Sequence, residues 1–170
     1  MPAGASKDLV IDASVAHAAG WGEHPHSSGS RDFLRAVLEI SHRMVLTPPL
    51  IDEWRRHQSK FTREWRKSMH ARRKIRRLEA QENLGLRERS LGPGIEEPLR
   101  QIRVKDLPLI EAALRADNIV ASLDEAARES FQLQELNVII WFNPIKDSHR
   151  MRPWLEEGAP HVDEWRLGRQ

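Results

Sequence analysis

Leu9-Val10-Ile11-Asp12 and Ile119-Val120-Ala121-Ser122-Leu123-Asp124 are two short apolar runs that each end at an aspartate. The first reads as a buried parallel strand, and the second as another strand of the same sheet. Met44 to Leu46, stopped by Pro48-Pro49, and Val138 to Trp141 supply two more. Helical patterns fall between them. Ala13 to Ala19 follows the first strand with Ser14 as a cap, and Arg31 to His42 carries Phe33, Leu34, Val37, Leu38 and Ile40 at helical spacing. Leu50, Trp54, Phe61, Trp65 and Met69 fall near one face of a further helix, a core stripe rather than a stacking platform. Gly92-Pro93-Gly94 ends one helix before another begins, Leu107 to Leu114 is a short helix opened by Asp106 with Pro108 in its first turn, and Ala126 to Leu133 is helical. Gly20 to Ser30 reads as loop. Alternating strands and helices predict a three-layer α/β/α sandwich around a mostly parallel sheet.

The chain has 170 residues, 39% apolar and 31% charged, which is one domain's worth with enough apolar material for a core. It reads as a single domain over residues 1–170, with a basic helical segment over 55–103 and a C-terminal tail over 144–170 that shows no clear period. Cysteine is absent, which excludes disulfides, thiolate metal sites and a cysteine nucleophile. No apolar run approaches the roughly 18 residues of a membrane span, and MPAGASKDLVIDAS lacks the pattern of a signal peptide, so a cytoplasmic protein is expected.

Charge is unevenly spread. Between Arg55 and Arg77 eleven Lys or Arg residues face the single acid Glu64, a net of +10, so the remainder of a chain of total charge +2 carries −8. Arginine supplies 21 of the 27 basic residues, and guanidinium suits phosphate forks and base stacking. Such a block is either a solvated helix face or the footprint of a polyanion. On the second reading Arg55, Arg56, Arg63, Arg66, Arg72, Arg73, Arg76 and Arg77 are the nucleic-acid-binding candidates, the last four paired one turn apart on a helix.

Four acids stand at the edges of the expected elements: Asp12 after the first strand, Glu53 after the second, Asp106 at a helix start and Asp124 after the third strand. In a parallel α/β sheet the ligand crevice lies beyond the carboxyl ends of the strands, where these acids would converge. Gathered carboxylates repel unless a cation lies between them, and an all-oxygen set suits Mg²⁺ or Mn²⁺. Each acid alone reads more readily as a helix cap than as a ligand.

Their order and neighbours resemble the PIN-domain nucleases. The stretches that carry the resemblance are Leu9 to Val15, Val45 to Trp54, Asp106 to Leu114 and Ala116 to Asp124, within a span from Leu9 to Trp141. Asp12-Ala13-Ser14 and Ser122-Leu123-Asp124 match the family's first and last elements, while Pro108 and the long tail depart from its pattern. The resemblance implies metal-dependent hydrolysis of RNA phosphodiester bonds, with Asp12, Asp106 and Asp124 as ligands of Mg²⁺ or Mn²⁺. Glu53 would complete the catalytic set as a further ligand or as base, and Ser14 and Ser122 would orient the carboxylates. It also admits the toxin of a toxin–antitoxin pair with an acidic antitoxin, a homo-oligomer, a DNA- or flap-directed nuclease on the same fold, or a non-catalytic RNA-binding or assembly module. Asp117 reads as a turn cap, Asp52 as solvent-facing, and His24, His26, His57 and His70 as solvated.

Overall fold

A computed structural model describes residues 5–168. Its centre is a five-stranded, all-parallel sheet in the order β3-β2-β1-β4-β5, built from β1 (Asp8–Ile11), β2 (Arg43–Leu46), β3 (Ile75–Arg77), β4 (Ile119–Ala121) and β5 (Ile140–Phe142). Helices α1 (Ala13–Ala18), α2 (Pro25–Glu39), α3 (Pro48–His57), α4 (Lys60–Ala71), α5 (Leu84–Leu91), α6 (Glu97–Leu114), α7 (Glu125–Ser130) and α8 (Ser148–Glu156) flank it, giving the expected α/β/α sandwich. The β1 and β4 runs are apolar because both are covered: Leu9, Val10, Ile11, Val120 and Ala121 are buried, and α6 packs directly on these two strands. On the described residues no helix is long and apolar enough to cross a membrane.

The strand order places the topological switch between β1 and β4. Connections leave to one side through β2 and β3, and to the other through β5, so a crevice opens at the carboxyl ends of this central pair. Asp12 follows β1 directly, and its backbone N–H donates to Ala121 O across the gap at 2.9 Å.

Several local expectations are corrected. The basic segment is not helical throughout, because Ile75, Arg76 and Arg77 form the edge strand β3, in register with Met44, Val45 and Leu46. Arg73, just before it, has φ 56°, and the chain turns there from α4 into the strand, so Arg72 and Arg73 share no helical face with Arg76 and Arg77. The stripe from Leu50 to Met69 is divided between α3 and α4, broken at Gln58-Ser59, where the Ser59 hydroxyl accepts from Thr62 N–H and caps α4. Asp106 does not open a helix: it lies well inside α6, and Pro108 is an interior proline that removes one N–H from the ladder. Asp12, not Ser14, holds the N-cap position of α1. Part of the expected Gly20–Ser30 loop is helix, since Pro25 begins α2. The tail contains α8, whose Trp154 packs on Phe142 together with Trp165.

Candidate functional site

Asp12 is held rigidly. The Ser14 and Ser122 hydroxyls each donate to its Oδ2 at 2.7 Å, and the buried Trp54 indole donates to Ile11 O at 2.8 Å, pinning the backbone one residue earlier. Ser122 also accepts from the Asp124 N–H at 3.0 Å, and Ser14 from the Leu123 N–H at 3.1 Å. The two serines thus bind the β1 and β4 ends together. They touch one carboxylate of the four, Asp12.

Asp106 reaches the same place from α6. It is 4% exposed, and its Oδ2 is buried with no hydrogen-bond partner. Loss of hydration raises its carboxyl from 3.8 to about 7, with Asp12 as the strongest of the facing charges and Asp124 and Glu53 adding to it; Lys105 acts in the opposite direction. The other three predicted acids therefore all bear on Asp106, although they come from elements scattered between Asp12 and Asp124. A cleft of about 390 Å³ opens here, lined by Asp12, Asp52, Glu53, Arg56, Lys105 and Asp106 among others. Asp124 does not line it; its Oδ1 accepts from Ala127 N–H at 2.9 Å and caps α7. Glu53 is ion-paired with Arg56 and lies 3.5 Å from His57 Nε2.

The set suits a hard divalent cation in its chemistry: every side chain is a carboxylate, and one buried oxygen lacks any partner. As the side chains stand, no three acids or histidines among the described residues are gathered closely enough to hold an ion.

Other candidates fall elsewhere. Asp117 Oδ2 accepts the Asp8 N–H at 2.7 Å, and Glu111 is buried against Arg87; neither lines the cleft. Asp52 is exposed, as expected, yet it lines the cleft. His24 caps α2 by accepting from His26 N–H. Of the arginines, Arg76 binds Asp8 at 2.6 Å, and Arg72 donates to Leu38 O at 3.3 Å. Lys105, a cleft residue that the sequence reading passed over, was marked only by its place beside Asp106.

Compared with models of protein families and with curated proteins, the chain matches none.

Proposed function

We propose that this cleft is the active site of a divalent-metal-dependent nuclease of the PIN-domain kind that hydrolyses RNA phosphodiester bonds. One observation carries the reading. Asp106 is a buried carboxylate with a free oxygen, its pKa raised to about 7 first by burial and then by the three other acids at the switch point of a parallel sheet. A carboxylate oxygen left without a donor in this position is one that an arriving cation would fill.

Asp12, Asp106 and Asp124 would hold Mg²⁺ or Mn²⁺, which when bound makes water nucleophilic near neutral pH and offsets charge on the phosphate. Asp12, fixed by Ser14 and Ser122, supplies a ligand that costs no reordering. Asp106 would release its proton to solvent on holding a cation, so binding and ionisation would be linked. Glu53 takes the proton of the attacking water, its pairing with Arg56 being exposed and hence readily exchanged. Lys105 and Arg56, on the walls of the cleft, meet the phosphate oxygens.

The test is incubation of the purified chain with single-stranded RNA and Mn²⁺ or Mg²⁺. Products ending in 5′-phosphate and 3′-hydroxyl are expected, with none in excess chelator. Undiminished cleavage in chelator, or by the Asp106→Asn variant, would overturn the reading.

A further inference from the structure

The face of α3 opposite the acidic cleft closes a second cavity, of about 240 Å³. Its apolar floor is Leu46, Ile51 and Ile75, and its walls carry Arg55, Arg66, Lys67, His70 and Arg77. No carboxylate lines it. Lys67 is paired with Glu64 at 3.3 Å, whereas Arg55, Arg66 and Arg77 have no acidic partner among the described residues. This sets them apart from Arg43, Arg56 and Arg76, which are neutralised by Asp8 or Glu53. Three arginines converge from three elements, α3, α4 and β3. Burial and the neighbouring charges of Arg55, Arg77 and Arg63 push the Arg66 guanidinium below its ordinary range, as befits a cluster with no anion to balance it.

The cavity lies at the carboxyl ends of β2 and β3, since Leu46 and Arg77 are register partners at the ends of those strands. In an all-parallel sheet this is the same edge that bears Asp12. Residues Ile51 and Arg55 face the basic cavity, while Asp52, Glu53 and Arg56 line the acidic cleft, so one helix is the wall between them. A helix with its side chains is about 10–12 Å across. That distance is about three nucleotide steps at the roughly 3.4 Å axial rise of a stacked strand, and fewer where the strand is extended.

We propose that Arg55, Arg66 and Arg77 form a pocket for one backbone phosphate of the nucleic-acid strand, a few nucleotides from the bond placed in the acidic cleft. The proposal rests on the nuclease reading for the identity of the strand. It adds the anchoring point, and it replaces the helical array of Arg72, Arg73, Arg76 and Arg77 with arginines that the fold actually gathers. Guanidinium forks suit phosphate oxygens, and the apolar floor raises the strength of such contacts by excluding water.

The experiment is anisotropy of a short fluorescein-labelled single-stranded RNA, titrated in chelator over a range of salt, so that cleavage plays no part. For Arg55→Gln/Arg66→Gln/Arg77→Gln, affinity should fall roughly tenfold or more, and the slope of log affinity on log salt should fall by about 0.7, the share of one phosphate on a single strand. A control, Arg72→Gln/Arg73→Gln, should lose less than the triple variant. Because Arg66 is half-buried, thermal unfolding accompanies each measurement, and the exposed single variant Arg55→Gln should by itself weaken binding severalfold. An unchanged slope in the triple variant together with unchanged affinity in the single variant would overturn the pocket, as would an equal loss of affinity in the control. Displacement of the RNA by a polyglutamate peptide at matched charge and concentration would also overturn it, in favour of an acidic protein. Absence of cleavage by the wild type with Mn²⁺ would sink the nuclease reading while leaving these binding results to stand on their own.

Discussion

Asp106 is where the fold and the proposed chemistry pull against each other. Its carboxyl is raised from 3.8 to about 7 by burial and by Asp12, Asp124 and Glu53, so the folded chain keeps a proton that the unfolded chain has released. The stability this retention brings is complete below about 3.8 and is lost as pH rises through about 7. Spread over some three pH units, the loss amounts to about 4 kcal/mol at most. Asp106→Asn should therefore raise metal-free stability at about pH 8 by a few kcal/mol and flatten the decline between about pH 5 and pH 8, with nuclease activity abolished. Chemical denaturation in chelator at the two pH values decides it; an Asn variant no more stable than wild type at the higher pH would show that ionised Asp106 is not under strain. The same charge crowding predicts that Mn²⁺ raises the melting temperature of the wild type and does so far less for Asp106→Asn. Asp12 differs, because two serine hydroxyls already stabilise its charge at 2.7 Å. Asp12→Ala would strand both donors beside the buried β4 end and should cost about 1–3 kcal/mol as well as activity.

At the scale of elements, Asp124 carries two readings that two substitutions can separate. Its Oδ1 caps α7 at Ala127 N–H, and its charge bears on Asp106. Asparagine caps as well as aspartate does, while alanine does not, so Asp124→Ala should lose about 1 kcal/mol of stability and Asp124→Asn close to nothing. Both should lose cleavage if the charge serves a metal; retained cleavage in Asp124→Asn would leave Asp124 a cap alone. Asp12, Glu53 and Asp124 were legible in the sequence because each follows a strand whose apolar run announces itself, as Leu9-Val10-Ile11 does, whereas Asp106 was read at a helix start that it does not occupy. Strand β3 was hidden for the opposite reason. It lies at the sheet edge, is three residues long, and two of the three are arginine, the kind of charge that protects an edge from pairing with another chain. Composition alone reads Arg72 to Arg77 as one more helical turn. The start of α6 was concealed by its charged first half, from Glu97 to Lys105, and by Pro108, which resembles a helix opening although here the helix runs through it. The basic cavity could not be read at all, since it joins Arg55, Arg66 and Arg77 through tertiary packing of α3, α4 and an unrecognised strand.

Across the whole molecule, the two ends of the sheet titrate in opposite senses. The acidic cleft occupies the carboxyl end. At the amino end the fully buried His42, just before β2, joins the start of the chain to the C-terminal region: Lys7 N–H donates to its Nδ1 at 3.1 Å, and its Nε2–H donates to Leu155 O on α8 at 2.7 Å. The tail is thereby part of the fold, and it is secured further by Trp154 against Phe142 and by the antiparallel bridge from Arg166 to Ile140. Neutral imidazole satisfies both contacts; a proton added at Nδ1 would point at the Lys7 N–H. Burial lowers the His42 pKa below 6.5, the Leu155 carbonyl opposes that shift, and Lys74 and Lys7 add to it. Since the depressed value belongs to the folded state, the stabilisation from neutral His42 is present above 6.5 and is lost as pH falls through the lower folded value. Over the same range Asp106 gains its proton and stabilises, so the wild-type curve contains two opposing slopes. The Asp106→Asn background removes one of them. In that background stability should fall steadily on acidification below about pH 6.5, and adding His42→Gln should lower stability at neutral pH yet remove most of that acid-induced fall. Denaturant midpoints over the acid range read both effects, and an equally steep fall in the double variant would assign the acid sensitivity to groups other than His42.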